Sequence, residues 1–153
     1  MLATLFGVPP VPHRGDVCRV LLPGVPEHTT PPHQDYFFLR QNRLERQHEI
    51  WSAWLPLDDC VPELGGLALV AGSHRAGLLP HEQLDARGEQ IATPIDAWVS
   101  SPMRRGDVLL MSCLTVRRGL ENRTRDRIRL SVDFRYQPVH DADGPAAQPP
   151  WNA

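Results

Sequence analysis

His33-Gln34-Asp35 is the stretch of this chain whose residue types and spacing most readily do chemistry. On an extended strand, side chains two positions apart project from the same face, so the imidazole and the carboxylate can converge on one cation while Gln34 points away. One histidine and one carboxylate are two members of the three-residue facial triad that holds Fe(II) in oxygenases. Alone the pair is weak ground, because a His and an Asp at this spacing more often form a hydrogen-bonded or solvated couple.

The elements that must position the pair are short. Sixteen prolines and eleven glycines cut the sequence into segments, and no long run carries apolar residues at helical spacing. The loop Thr29-Thr30-Pro31-Pro32 leads into the apolar run Tyr36-Phe37-Phe38-Leu39, which reads as a strand over 34–39. Further strands are expected at 16–22, 49–57, 67–71, 98–100, 107–112 and 127–136, with one short helix at 81–90. Strands without helical crossovers point to an all-β sandwich, barrel or jelly roll. Residues 1–140 then form a single domain, and the Pro-, Ala- and Asp-rich 141–153 form a flexible tail.

Composition bounds the function. At 153 residues, with 41% hydrophobic and 22% charged positions, the chain supplies one core. A net charge of -2 and a pI near 6.4 give no reason to expect a nucleic-acid or membrane partner. All 16 basic residues are arginine, which excludes a lysine nucleophile. Cys18, Cys60 and Cys113 form neither a disulfide framework nor a CxxC pair, which suits a reducing cytoplasm. No leader-like N-terminus and no apolar run of roughly 20 residues is present, so a soluble, cytoplasmic protein is expected.

Downstream, Trp51-Ser52-Ala53-Trp54-Leu55-Pro56-Leu57-Asp58-Asp59 is followed by Gly65-Gly66-Leu67-Ala68-Leu69-Val70-Ala71-Gly72-Ser73-His74. Then come Arg105-Gly106-Asp107-Val108-Leu109-Leu110, Leu114-Thr115-Val116-Arg117-Arg118-Gly119, and Arg129-Leu130-Ser131-Val132-Asp133-Phe134-Arg135-Tyr136. In this order the segments resemble the phytanoyl-CoA dioxygenase family over roughly 16–138. The resemblance implies a double-stranded β-helix, a cupin-like jelly roll, with Fe(II) and 2-oxoglutarate as cofactors and hydroxylation of a small organic or acyl substrate as the activity. It makes His33 and Asp35 iron ligands, and assigns Arg129 to the distal carboxylate of 2-oxoglutarate. That task suits the planar fork of a guanidinium. Trp54 and Thr115 join the co-substrate pocket by the same resemblance.

The pattern breaks at one position. Where the family carries its second histidine ligand, this chain has Arg117. Arginine stays protonated and offers no lone pair for coordination. Three arrangements follow: a weak metal site of His33 and Asp35 alone; Arg117 paired with Asp35 in a metal-free pocket that binds a small carboxylate without turnover; or a loop shift bringing His74, His81 or His140 to the metal. Members of the family also carry a largely helical N-terminal region over the outer sheet. Its loss here would expose an apolar face and favour a homodimer. Six arginines between Arg117 and Arg129 are interrupted by Glu121 and Asp126 and interleaved with no aromatics, so they read as a solvated loop with Arg129 alone turned inward.

Overall fold

A computed structural model of the chain describes residues 1–13, 15–39, 49–85 and 88–139. Its strands are β1 (Pro10–Pro12), β2 (Val17–Leu21), β3 (Trp51–Pro56), β4 (Leu67–Leu69), β5 (His81–Asp85), β6 (Gly88–Ile91), β7 (Leu109–Ser112), β8 (Arg117–Gly119) and β9 (Arg129–Pro138). Among the described residues two short α-helices accompany them, α1 (Leu2–Phe6) and α2 (Asp35–Leu39). The long β9 organises the larger sheet, pairing antiparallel with β1 and β2 on one side and β3 on the other, while β3 pairs in turn with β7. β1 carries two prolines, which a strand tolerates where no second neighbour needs the missing N–H.

Opposite this sheet lies a smaller layer. β4 pairs with β8, and isolated bridges extend it through Val99 beside Leu69 and through His33 beside Arg117. The two layers make the double-stranded β-helix expected of the sequence. Between them two apolar clusters, Leu39 with Ile50 and Cys113, and Trp54 with Cys60 and Met111, flank a polar middle. That middle is built by strand alternation: Ser52 and Trp54 of β3, and Arg129, Ser131, Asp133 and Arg135 of β9, are all buried. On the outer face of the same sheet Val20, Leu130 and Phe134 are exposed.

Three expected elements differ. The run 34–39 is not a strand: after His33 the chain leaves the layer, Phe37 N–H turns back to Gln34 O at 3.1 Å, and Asp35 opens α2 with its carboxylate in the first turn. The segment 81–90 is not a helix but the hairpin β5–β6, with His81 paired to Ile91 and Asp85 to Gly88. Residues 98–100 contribute only the Val99 bridge. The expected tail at 141–153 lies outside the described residues. Among the described residues no helix is long and apolar enough to cross a membrane.

Candidate functional site

His33 is fixed by its backbone. Its N–H donates to Arg117 O at 2.9 Å and its carbonyl accepts from Arg117 N–H at 3.0 Å, so the two side chains enter the cavity from adjacent strands. His33 Nδ1–H donates to Pro31 O at 2.8 Å, which turns Nε2 inward to 3.2 Å from Asp35 Oδ1. The expected convergence of His33 and Asp35 is therefore present, though a bridge and a helix start produce it rather than a continuous strand.

The expected metal position is taken by a guanidinium. Arg117 is 2% exposed; its Nη2 donates to both oxygens of Asp35, at 2.7 and 2.8 Å, and its Nη1 donates to Asp133 Oδ1 at 2.6 Å. Ser52 Oγ donates to Asp35 Oδ2 at 2.6 Å, and Arg135 Nη2 lies 3.4 Å from the same oxygen. Arg19 Nε approaches Asp133 Oδ2 at 3.4 Å. Burial alone would raise the Asp35 carboxyl, but the charge of Arg117, helped by His33 and Arg135, outweighs it and holds the group well below the usual carboxylate range. Burial likewise pulls Arg117 down, and the facing Asp35 and Asp133 more than reverse that.

Arg129 sits at the other end of the inner face of β9. It is 5% exposed, donates from Nη1 to Ser131 Oγ, and lies over Trp54 with 5.7 Å between Cζ and the ring centroid. No carboxylate faces it among the described residues, and Arg129 Nε and Trp54 Nε1 are both buried without a partner. Burial pulls its guanidinium below the ordinary value. Thr115 is buried, with its N–H on Ser112 O at 2.8 Å, and no hydrogen bond or ring contact among the described residues joins it to Arg129 or Trp54.

Other expectations need correcting. Within the run 117–129, Arg129 is not alone in turning inward, since Arg117 is buried too. His81 is engaged elsewhere: its Nε2 accepts from Gln34 N–H at 3.2 Å, its Nδ1–H donates to Leu79 O at 2.9 Å, and its ring stacks on Phe37. His140 lies outside the described residues. Gln34 points away from the pair, as expected, and is fully buried, tying Gly77 O, Leu114 O and Leu79 N–H together. Ser52, Asp133, Arg135 and Arg19 escaped the reading of the sequence. The alternation from Arg129 through Ser131 and Asp133 to Arg135 is the signal that would have found two of them.

Comparison with known proteins settles the lineage. The family model described as phytanoyl-CoA dioxygenase matches residues 21–131. The chain belongs to the phytanoyl-CoA dioxygenase family. It is 30% identical over 138 positions to 1-deoxypentalenic acid 11-beta-hydroxylase of Streptomyces exfoliatus, a match covering 82% of this chain and 47% of the relative. The Streptomyces arenae hydroxylase of the same name is 32% identical with the same coverage. The chain thus spans about half the length of the curated relatives it matches. Among solved structures, the apo form of the non-heme monooxygenase ThoJ superposes with a TM-score of 0.74 at 25% identity, over 90% of this chain and 50% of that one. EvdO2 of Micromonospora carbonacea var. aurantiaca, complexed with 2-oxoglutarate, gives 0.63 at 23% identity over 81% and 50%, a likeness of fold. The family is therefore the one the sequence suggested.

The family's iron does not fit the residues as folded here. Both oxygens of Asp35 are spent on Arg117, a fixed positive charge stands where the third ligand belongs, and no group of three or more His, Cys, Asp or Glu is placed to hold a metal among the described residues. A carboxylate does fit Arg129, a buried guanidinium that no carboxylate faces among the described residues.

Proposed function

We propose that this chain binds a small carboxylate of the 2-oxo acid class at Arg129 and does not oxidise it with iron. The observation carrying this reading is Arg129 itself, a buried guanidinium held by Ser131 over Trp54 with no carboxylate of its own among the described residues. Such an ion is costly to bury unpaired and gains two charge-assisted hydrogen bonds from an incoming carboxylate. Arg117 withholds Asp35 from any metal, so the ligand meets an anion site without an oxidising centre. The partner is a small molecule, and the acidic net charge gives nucleic acid no footing.

A second reading, hydroxylation of a small organic substrate, is favoured by the 30% identity to a hydroxylase. It requires Asp35 to release Arg117 and accept iron. The two separate in one experiment. Titration calorimetry with 2-oxoglutarate on chelator-treated protein should show binding that Arg129→Gln weakens roughly 10- to 100-fold, since hydrogen bonds to charged groups contribute about 1.5–3 kcal/mol. Incubation with Fe(II), 2-oxoglutarate and air should release no succinate. Catalytic succinate release would overturn the binder reading in favour of the hydroxylase.

A further inference from the structure

Asp133 changes what Arg117 means. A guanidinium that merely filled a lost histidine's place would meet one acid, Asp35. Here each terminal nitrogen has its own: Nη2 spans both oxygens of Asp35 at 2.7 and 2.8 Å, and Nη1 meets Asp133 Oδ1 at 2.6 Å. Both carboxylates are almost fully buried, Asp133 at 1% and Asp35 at 5% exposed. They reach the cavity from different elements, Asp35 from the start of α2 and Asp133 from the middle of β9, while Arg117 comes from β8. Ser52 and Arg135 brace the Asp35 side and Arg19 braces Asp133.

We propose that Asp35 and Asp133 form a cradle specific for a planar guanidinium, with Arg117 as its tethered occupant, cross-linking the two sheets of the fold in place of a metal. The spacing of the cradle is that of a fork rather than of an ion. The acids engage separate nitrogens of one group, and His33, Asp35 and Asp133 are not brought close enough together to share a cation. The planar fork offers each carboxylate its own N–H donors, whereas lysine would reach one of them as a point charge. The proposal extends the metal-free reading above without resting on Arg129, and the two fail separately.

The test is replacement with chemical rescue. Arg117→Ala leaves two buried carboxylates without their cation, and its Tm should fall by roughly 10 °C or more. Methylguanidinium at millimolar concentration should restore part of that loss, whereas Mn(II) and methylammonium at the same concentration should not. Asp133→Asn added to Arg117→Ala should abolish the rescue. Should Arg117→Ala fail to fold, Arg117→Lys serves: it should fold with a clearly lowered Tm and keep 2-oxoglutarate binding through Arg129. A Tm of Arg117→Ala equal to that of the natural chain, rescue by Mn(II) as good as by methylguanidinium, or Arg117→Lys as stable as arginine would each overturn the cradle. Loss of 2-oxoglutarate binding in an otherwise intact cradle would instead strike the carboxylate reading.

Discussion

Replacing Arg129 with methionine should make the ligand-free chain more stable and, in the same step, blind to carboxylates. The guanidinium is 5% exposed, with one hydrogen bond to Ser131, an unpartnered Nε and no facing acid among the described residues. Holding an uncompensated ion in that place costs several kcal/mol after relaxation, of the order of 4 kcal/mol. Against this stand the charge-assisted Ser131 hydrogen bond, about 2 kcal/mol with the hydroxyl it leaves behind, and the contact with Trp54, about 1 kcal/mol. Methionine keeps the apolar packing of the stem. The balance is a gain of about 1 kcal/mol, or roughly 2–4 °C in Tm for a chain of this size. Urea unfolding with and without 2-oxoglutarate reads both effects. The natural chain should be stabilised by the ligand, and Arg129→Met should start from a higher midpoint that the ligand does not move. If the methionine variant is instead less stable by about 2 kcal/mol and still responds to 2-oxoglutarate, Arg129 is a structural ion and the carboxylate binds elsewhere.

Further perturbations probe the frame around the site. Gly65 has φ +77, and a Cβ there would lie 2.4 Å from Leu120 O and 2.5 Å from Glu121 O, so Gly65→Ala should cost roughly 3 kcal/mol or more or leave no soluble protein. Its neighbour Gly66 would place a Cβ 3.4 Å from Cys60 Sγ, and Gly66→Ala should cost no more than about 1 kcal/mol by urea midpoint. Exposed Cys18 should be alkylated in the native chain, whereas Cys113, buried at 1% exposure, should react only on unfolding, as mass spectrometry of iodoacetamide adducts would show. Burial pushes the Cys113 thiol up from an ordinary value of 9.0 to about 12, so the folded state keeps a proton that the unfolded state loses. That contribution to stability is whole below pH 9 and fades as pH rises toward 12, and a chain whose unfolding midpoint did not fall across that window would contradict it.

The fold was legible because most of its strands carry their own boundaries. The apolar run ending at Pro56, and the alternating β9, identify themselves by composition and period. Where the reading of the sequence failed, tertiary contacts overruled local pattern. The aromatic run after Gln34 looks like a strand, yet Tyr36 N–H goes to Cys113 O and the chain coils into α2 instead. The charged segment 81–90 looks helical, yet Glu82 pairs with Gln90 and Asp85 with Gly88 across a hairpin. At the site, His33, Asp35, Arg117 and Arg129 were readable from spacing or from likeness to the family. Asp133 was not, because nothing in a sequence marks which acid on a strand will meet an arginine sixteen residues earlier. Only the two-residue period of β9, which places Asp133 on the buried face with Arg129, hinted at it.

The clamp and the anion site are two consequences of one charge imbalance. The cavity face buries three guanidinia, Arg117, Arg129 and Arg135, against two carboxylates, Asp35 and Asp133. Arg117 engages both acids at 2.6–2.8 Å, and Arg135 shares Asp35 at 3.4 Å. Among the described residues no acid is then left to pair with Arg129. In a protein that held a metal dication at Asp35, the metal and its ligands would settle that carboxylate's charge. Here the arginine does so, and by recruiting Asp133 as well it removes the other acid that β9 presents on the same face as Arg129. The excess positive charge is thereby localised at one end of the cavity, over Trp54, where an entering carboxylate would neutralise it.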